Sequence, residues 1–209
     1  MDDPAPSTPR DRLLGAAVDF LAAHGVGHTS FRQMAAALGT SHRMLTYHFG
    51  SREGLLVAVV EVLEQNERDL LETLMADAET DGRILAWRYW THVADVAAVY
   101  GPLFFELASH AMRADEVDAP LRTGNHAMWV DALTRMWSRD RTLTPAVARR
   151  QARLNLAVAR GLLQDLLLTG DRPAVDRAMA RFDLISFGTP HPLGRVRALA
   201  GPVNPPHRP

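Results

Sequence analysis

His42, Arg43, Thr46 and Tyr47 are side chains able to read the edges and backbone of a nucleic acid. At about 100° per residue they fall on one half of a helical wheel, and Met44, Leu45, His48 and Phe49 fall on the other. The second half is the one expected to pack, on Ala35, Leu38 and Phe20. The first half offers a guanidinium that can pair with guanine O6 and N7, an imidazole, a threonine methyl and hydroxyl, and a phenol for phosphate. A face that is merely solvated carries Glu and Lys more often than this set. Local charge agrees: residues 10–52 hold five arginines (10, 12, 32, 43 and 52) against Asp11 and Asp19, a net of +3.

Other chemistries lack their residues. The chain has no cysteine, which excludes disulfides, thiolate metal sites and thiol catalysis. Among the nine histidines, His24 and His28 stand four apart, but Gly25 and Gly27 break the helix that would align them. No HExxH, GxSxG or glycine-rich phosphate loop after a strand is present, so neither catalysis nor a cofactor or metal is expected. All 23 basic residues are arginine and balance 24 acids, so no global positive field recruits nucleic acid or an anionic membrane. The N-terminus is acidic and proline-rich without the basic and apolar regions of a signal peptide. No apolar run approaches roughly 18 residues. A soluble, cytoplasmic protein with no membrane partner is expected.

The elements that must position the wheel are helical throughout, and no alternating strand pattern lasts more than a few residues. Leu13, Ala16, Ala17, Phe20 and Leu21 mark a first helix, stopped at Gly25 and Gly27. Phe31, Met34, Ala35 and Leu38 mark a short second one, opened by a Ser30–Gln33 capping box and ended at Gly39. The third runs from Ser41 to about Gly50, and Ser51 caps a long helix reaching about Met75. Three helices in about 45 residues is the layout of a helix-turn-helix unit. Ser30 and Ser41 cap its second and third helices, where free backbone N–H groups could also hold phosphates. Further helices are predicted at about 80–99, 102–113, 118–138, 145–169 and 172–187, separated by breakers such as Gly101-Pro102. Residues 188–209, with six of the 13 prolines, three arginines and no acid, read as an irregular tail, and residues 1–9 as a disordered arm.

Arg12-Leu13-Leu14-Gly15-Ala16-Ala17 through His24-Gly25, Thr29-Ser30-Phe31-Arg32-Gln33-Met34-Ala35, Leu38-Gly39-Thr40-Ser41, and Tyr47-His48-Phe49-Gly50-Ser51-Arg52-Glu53-Gly54-Leu55-Leu56 closely resemble the DNA-binding domain of TetR-family transcriptional regulators. The resemblance covers residues 10–57. It implies an all-helical homodimer, usually a repressor, whose C-terminal domain binds a small effector. It also puts the third helix in the major groove, with Ser30, Tyr47, His48 and Arg52 near phosphates and Arg32, His42, Arg43 and Thr46 near bases. For His48 the wheel gives a half-buried position, which suits capping or packing. Two positions depart from the family. Arg43 stands where a small residue is usual, and Thr46 where tyrosine is usual, so the operator sequence cannot be carried over.

Beyond residue 57 the residues speak for themselves. Trp87, Tyr89, Trp90, Tyr100, Phe104, Phe105, Trp129 and Trp137 lie within 51 residues, with Met112, Met128 and Met136 among them. They suit a helical core, or as a group the wall of a cavity for an apolar or aromatic ligand. Trp90, Phe104, Phe105 and Trp129 are the expected walls, with His92, His110, Arg88, Asn125 and His126 as polar anchors. The stripes at Val147, Leu154, Val158, Leu162 and Leu166, then Ala174, Ala178, Phe182 and Ile185, suit a four-helix bundle between two copies through residues 145–187.

The sequence therefore predicts an all-α chain. A helix-turn-helix head at 10–50 is followed by a helical effector-binding and dimerisation domain at 51–187. The expected function is a DNA-binding regulator of a pseudo-palindromic site, a repressor released by a small apolar or aromatic effector. The alternative is a helical small-molecule-binding protein that no longer binds DNA, since residues 1–55 hold five arginines against five acids.

Overall fold

The computed structural model describes residues 8–27, 29–76, 80–113, 119–140 and 142–194, with side chains except at 110, 111, 113 and 119–125. Among the described residues there are helices and no strand. In chain order the helices are α1 Pro9–His24, α2 Phe31–Ala37, α3 His42–Phe49, α4 Arg52–Leu74, α5 Gly82–Arg113, α6 Ala119–Trp137, α7 Pro145–Thr169 and α8 Arg172–Phe187.

They begin where side chains satisfy the first free N–H groups. Thr8 caps α1 in a reciprocal box with Asp11, and its hydrogen bonds hold the Asp11 carboxyl below the usual carboxylate range. Ser30 and Gln33 form the expected box on α2, and Ser41 accepts from the Met44 N–H at 3.2 Å to open α3. Ser51 does the same for Gly54 at 3.0 Å in the first turn of α4. Thr144 and Asp171 cap α7 and α8, each ahead of a proline in the first turn.

The sequence reading broke the chain at Gly101-Pro102, but α5 runs through it as one helix of 32 residues. Pro102 removes the N–H that would bond the Ala98 carbonyl. The next turns bury Leu103 and Leu107 to 2% and 3% exposure, and that packing carries the helix on.

The chain divides into two compact units. A head unit comprises residues 1–69 and 99–126, and a helical unit comprises residues 70–98 and 127–209. The head unit thus reaches past residue 50, taking in most of α4 and the second half of α5. Its core joins Leu14, Ala17, Val18 and Leu21 of α1 to Met34 and Ala35 of α2. Leu45 and Phe49 of α3, Leu55 and Val59 of α4, and Leu103 and Leu107 of α5 complete it. Gly54 makes the α3–α4 junction possible, because a β-carbon there would lie 2.1 Å from the Phe49 carbonyl oxygen.

The helical unit has two apolar clusters. One gathers Leu71, Leu85, Trp129, Leu133, Met136, Trp137 and Ala152, and the other centres on Trp90, Ala94, Val175 and Met179. The chain after α8, expected to be tail from residue 188, packs as far as it is described; residues 195–209 lie outside the described residues. His191 is 5% exposed, and Arg83 of α5 holds the segment. The Arg83 guanidinium pairs with both carboxylate oxygens of Asp183, at 3.0 and 2.5 Å. It also donates to the Thr189 hydroxyl, the Thr189 carbonyl and the Pro190 carbonyl at 3.1, 3.0 and 3.3 Å. Its face lies over the Phe187 ring, 4.6 Å from the centroid.

Removing one member of such a buried pair strands the other charge. Arg83→Met is expected to cost about 3–5 kcal/mol in urea denaturation, and Arg83→Met with Asp183→Leu to recover part of it. A double variant as unstable as the single one would show that the carboxylate is not what the arginine serves.

Candidate nucleic-acid interface

α3 is an eight-residue helix whose packed side is Leu45 and Phe49, at 0% and 8% exposure. His42, Arg43, Thr46 and Tyr47 are exposed, as the wheel predicts. Met44 is not on the packed side: it is 42% exposed, because α3 is anchored by Leu45 and Phe49 alone. His48 is half-buried beside the Tyr47 and Phe49 rings, and its Nε2 has no hydrogen-bond partner among the described residues.

The exposed groups differ in what remains open on them. Arg32 on α2 and Arg43 on α3 are exposed and make no ion pair or hydrogen bond among the described residues, so their donors are uncommitted there. The His42 ring is set by an edge contact with Phe31 at 5.3 Å. The Thr46 hydroxyl donates back to the His42 carbonyl at 2.9 Å, which leaves its methyl as the group it adds to the face. Tyr47 is 79% exposed. The Ser30 hydroxyl donates to Gln33 Oε1 at 2.7 Å and the Ser41 hydroxyl caps Met44, so both serines already have structural work. No acidic residue lies between Asp19 and Glu53, so the charge of Arg32 and Arg43 is uncompensated along both helices.

Arg52 sits otherwise than the resemblance implies. It is half-buried at the start of α4, donating through Nε to the Thr29 carbonyl at 3.4 Å and through the guanidinium to the Val26 carbonyl. It is a positioning residue for the turn between α1 and α2. Sequence reading missed its counterpart, Glu106 on α5, whose carboxylate accepts from the Val26 N–H at 2.8 Å. The only sign of it in the sequence is an acid interrupting the apolar stretch from Val93 to Leu107.

The expected cavity residues are spread out. Trp90 lies in the α5–α8 cluster, its indole N–H donating to Asp176 at 2.8 Å, and Asp176 in turn takes Arg172 at 2.9 Å. Trp129 lies in the other cluster of the helical unit, against Tyr89 at 5.9 Å. Phe104 and Phe105 pack edge to face at 5.3 Å and belong to the head unit. His92 is half-buried on α5, and the side chain of His110 lies outside the described residues. Among the described residues, no group of three or more His, Cys, Asp or Glu could hold a metal ion, and no helix is long and apolar enough to cross a membrane.

This is a helix-turn-helix head with its third helix bared, followed by a helical unit. Residues 13–59 match the family model of the bacterial regulatory proteins, tetR family. The fold of the chain is similar to that of solved regulators of this family. A TetR transcriptional regulator from Legionella pneumophila is 18% identical over 79% of this chain and 90% of its own, with a TM-score of 0.65. SmeT, the repressor of the Stenotrophomonas maltophilia multidrug efflux pump SmeDEF, is 20% identical over 93% of this chain and 87% of its own, at 0.60. The SmeT–triclosan complex aligns at 0.62, with 18% identity over 86% of this chain and 90% of its own. No curated protein sequence matches the chain.

If Arg52 positions the turn, Arg52→Ala loses charge-assisted hydrogen bonds worth about 1.5–3 kcal/mol each and lowers the unfolding midpoint. Amide exchange at Val26 should accelerate with it. An unchanged midpoint and unchanged Val26 exchange would leave Arg52 free for another role.

Proposed function

We propose that the protein is a homodimeric, one-component transcriptional regulator that binds a pseudo-palindromic DNA site through α3 and is released from it by a small apolar or aromatic effector. The observation that carries this reading is the bare face of α3 with Arg32 beside it, cationic, capped at its root and free of acids. Arg43 suits guanine O6 and N7, the Thr46 methyl suits thymine, and His42 can accept from or donate to a base edge. Tyr47 suits a phosphate, as do the N–H groups around Ser30 and Ser41.

Repression is the sense we assign to the binding, in keeping with SmeT being named a repressor. The triclosan complex of SmeT supports a small-molecule effector in a fold of this kind. Effector binding would shift the population between two states with different fit to DNA. Helices α4 and α5 contribute residues to both compact units, and through Arg52 and Glu106 they also hold the turn that leads into α2.

The pairing surface we assign to residues 145–187. Leu154 and Leu168 of α7 and Ile185 of α8 are 49%, 80% and 68% exposed, an apolar set that a second copy would cover. Leu168→Asp combined with Ile185→Asp should convert dimer to monomer in sedimentation while circular dichroism stays helical. A dimer that survives both charges would move the interface elsewhere.

The decisive experiment is selection from a random duplex library at physiological salt, followed by sequencing. An enriched inverted repeat supports dimeric base readout. Arg43→Ala should then relax preference at one position per half-site, at a cost of about 1–3 kcal/mol. No enrichment from folded, dimeric protein favours a ligand-binding protein without DNA affinity.

A further inference from the structure

Residues 188–194, which follow α8, are fixed to α5 by two groups, the Arg83 guanidinium and the His191 ring. All five N–H bonds of the guanidinium are engaged. Two go to the Asp183 carboxylate, and the other three to the Thr189 hydroxyl, the Thr189 carbonyl and the Pro190 carbonyl. The Asp183 pair joins α5 to α8 and does not involve the segment. Trp90 to Asp176 and Arg172 to Asp95 join the same two helices. The bonds between α5 and α8 are therefore independent of whether the segment is in place.

His191 is 5% exposed, and its ring lies 6.0 Å from that of Trp87. Its hydrogen bonds fix which nitrogen carries the hydrogen. The Leu193 N–H donates to Nδ1 at 3.1 Å, so Nδ1 is the bare nitrogen. The hydrogen is then on Nε2, which donates to the Arg83 carbonyl at 3.0 Å. This pair of bonds needs a neutral ring. A second proton would have to go on Nδ1, where it would face the Leu193 N–H, donor against donor. That N–H would lose its acceptor.

Nothing around the ring offsets that loss. Among the described residues lining the small space beside His191, the charged ones are Arg83 of α5 and Asp183 of α8. Both oxygens of Asp183 are already on Arg83, and the guanidinium opposes a second cation. From α6 and α7 the same space receives Trp137 and Asn155, which are neutral.

We infer that residues 188–194 form an acid-released strap. A proton taken up at His191 Nδ1 breaks the Leu193 bond, and the segment leaves Arg83 and Trp87 while α5 and α8 stay joined. The closed strap has no place for the second proton and the open one does, so opening takes up a proton. The closed form is favoured at neutral pH and lost as the pH falls. The strap belongs to the helical unit and does not depend on whether α3 binds DNA.

The test follows the full chain by NMR from about pH 8 to about pH 5, reading the His191 ring nitrogens and the exchange protection of the Leu193 amide. At the upper end the ring should be the Nε2–H tautomer. Leu193 protection should fall with pH by up to about ten-fold per unit, the limit for uptake of one proton, while the amides of Leu85 and Met179 keep theirs. His191→Gln cannot take up that proton and should make Leu193 protection level across the range. Where glutamine leaves the strap open at every pH, the wild-type curves decide, since ring protonation and loss of Leu193 protection must share one midpoint. An Nδ1–H tautomer, a protonated ring with Leu193 still protected, or a fall in protection that persists in His191→Gln would each overturn the strap. So would protection lost together throughout the helical unit.

Discussion

The head depends on how one peptide unit pair is held. Val26 follows the glycine that ends α1, its side chain is 3% exposed, and both of its backbone groups are taken by charged side chains. Glu106 accepts from its N–H, and Arg52 donates to its carbonyl. The two charges are matched to the two poles of the backbone, so each bond is charge-assisted and the turn has no neutral alternative of equal strength. Gly25 is part of the same arrangement. It has φ of 73°, and a β-carbon there would stand 3.2 Å from the Glu106 carboxylate. An alanine would be strained in that backbone region and would also crowd the acid that holds the turn. The direction in which α2 leaves the turn, and with it the placement of α3, follows from this clamp.

The clamp also says which helices have leverage on the head. Arg52 opens α4, and the same helix ends with Leu71 in a core cluster of the helical unit. Glu106 belongs to the later part of α5, whose earlier part carries Arg83, Trp87 and Trp90 in that unit. Pro102 stands between the two parts and leaves the Ala98 carbonyl without its helical donor, next to the point where α5 passes from one unit to the other. In the proposed regulator, an event in the helical unit needs no separate relay. Helices α4 and α5, which hold Val26, also place Leu71, Leu85 and Trp90 in the clusters of the helical unit, and a ligand biases the head only as far as it favours one arrangement of them.

Much of this was legible in the sequence wherever physics is local. The Ser30–Gln33 box, the caps at Ser41 and Ser51, and the packed positions Leu45 and Phe49 follow from residue type and helical period, because each involves neighbours within four residues. Met44 shows the limit of a wheel: it gives direction from the axis, and only the partner elements decide how wide a stripe they cover. Pro102 shows another, since burial of Leu103 and Leu107 outweighs a missing hydrogen bond. Arg83, Glu106 and His191 were beyond reach for a third reason. Their partners lie 80 or more residues away, and a lone charge in a hydrophobic stretch looks the same whether it will be exposed or paired.

Arginine makes the point most sharply, because every cation in this chain is one. Composition cannot sort them, and the fold does so by the company each keeps. Arg83 and Arg172 have their fork of donors filled by carboxylates and carbonyls, Arg52 is turned onto backbone carbonyls, and Arg10 lies over the Phe49 ring. Arg32 and Arg43 keep theirs open, as exposed arginines elsewhere also do, but they do so on helices without an acid. On those helices the serines, threonine and glutamine have already met the backbone's needs. A guanidinium on a frame whose own polar groups are satisfied has nothing left to do inside the protein. In the proposed regulator, the open forks of Arg32 and Arg43 are the groups that meet the paired acceptors of a base edge.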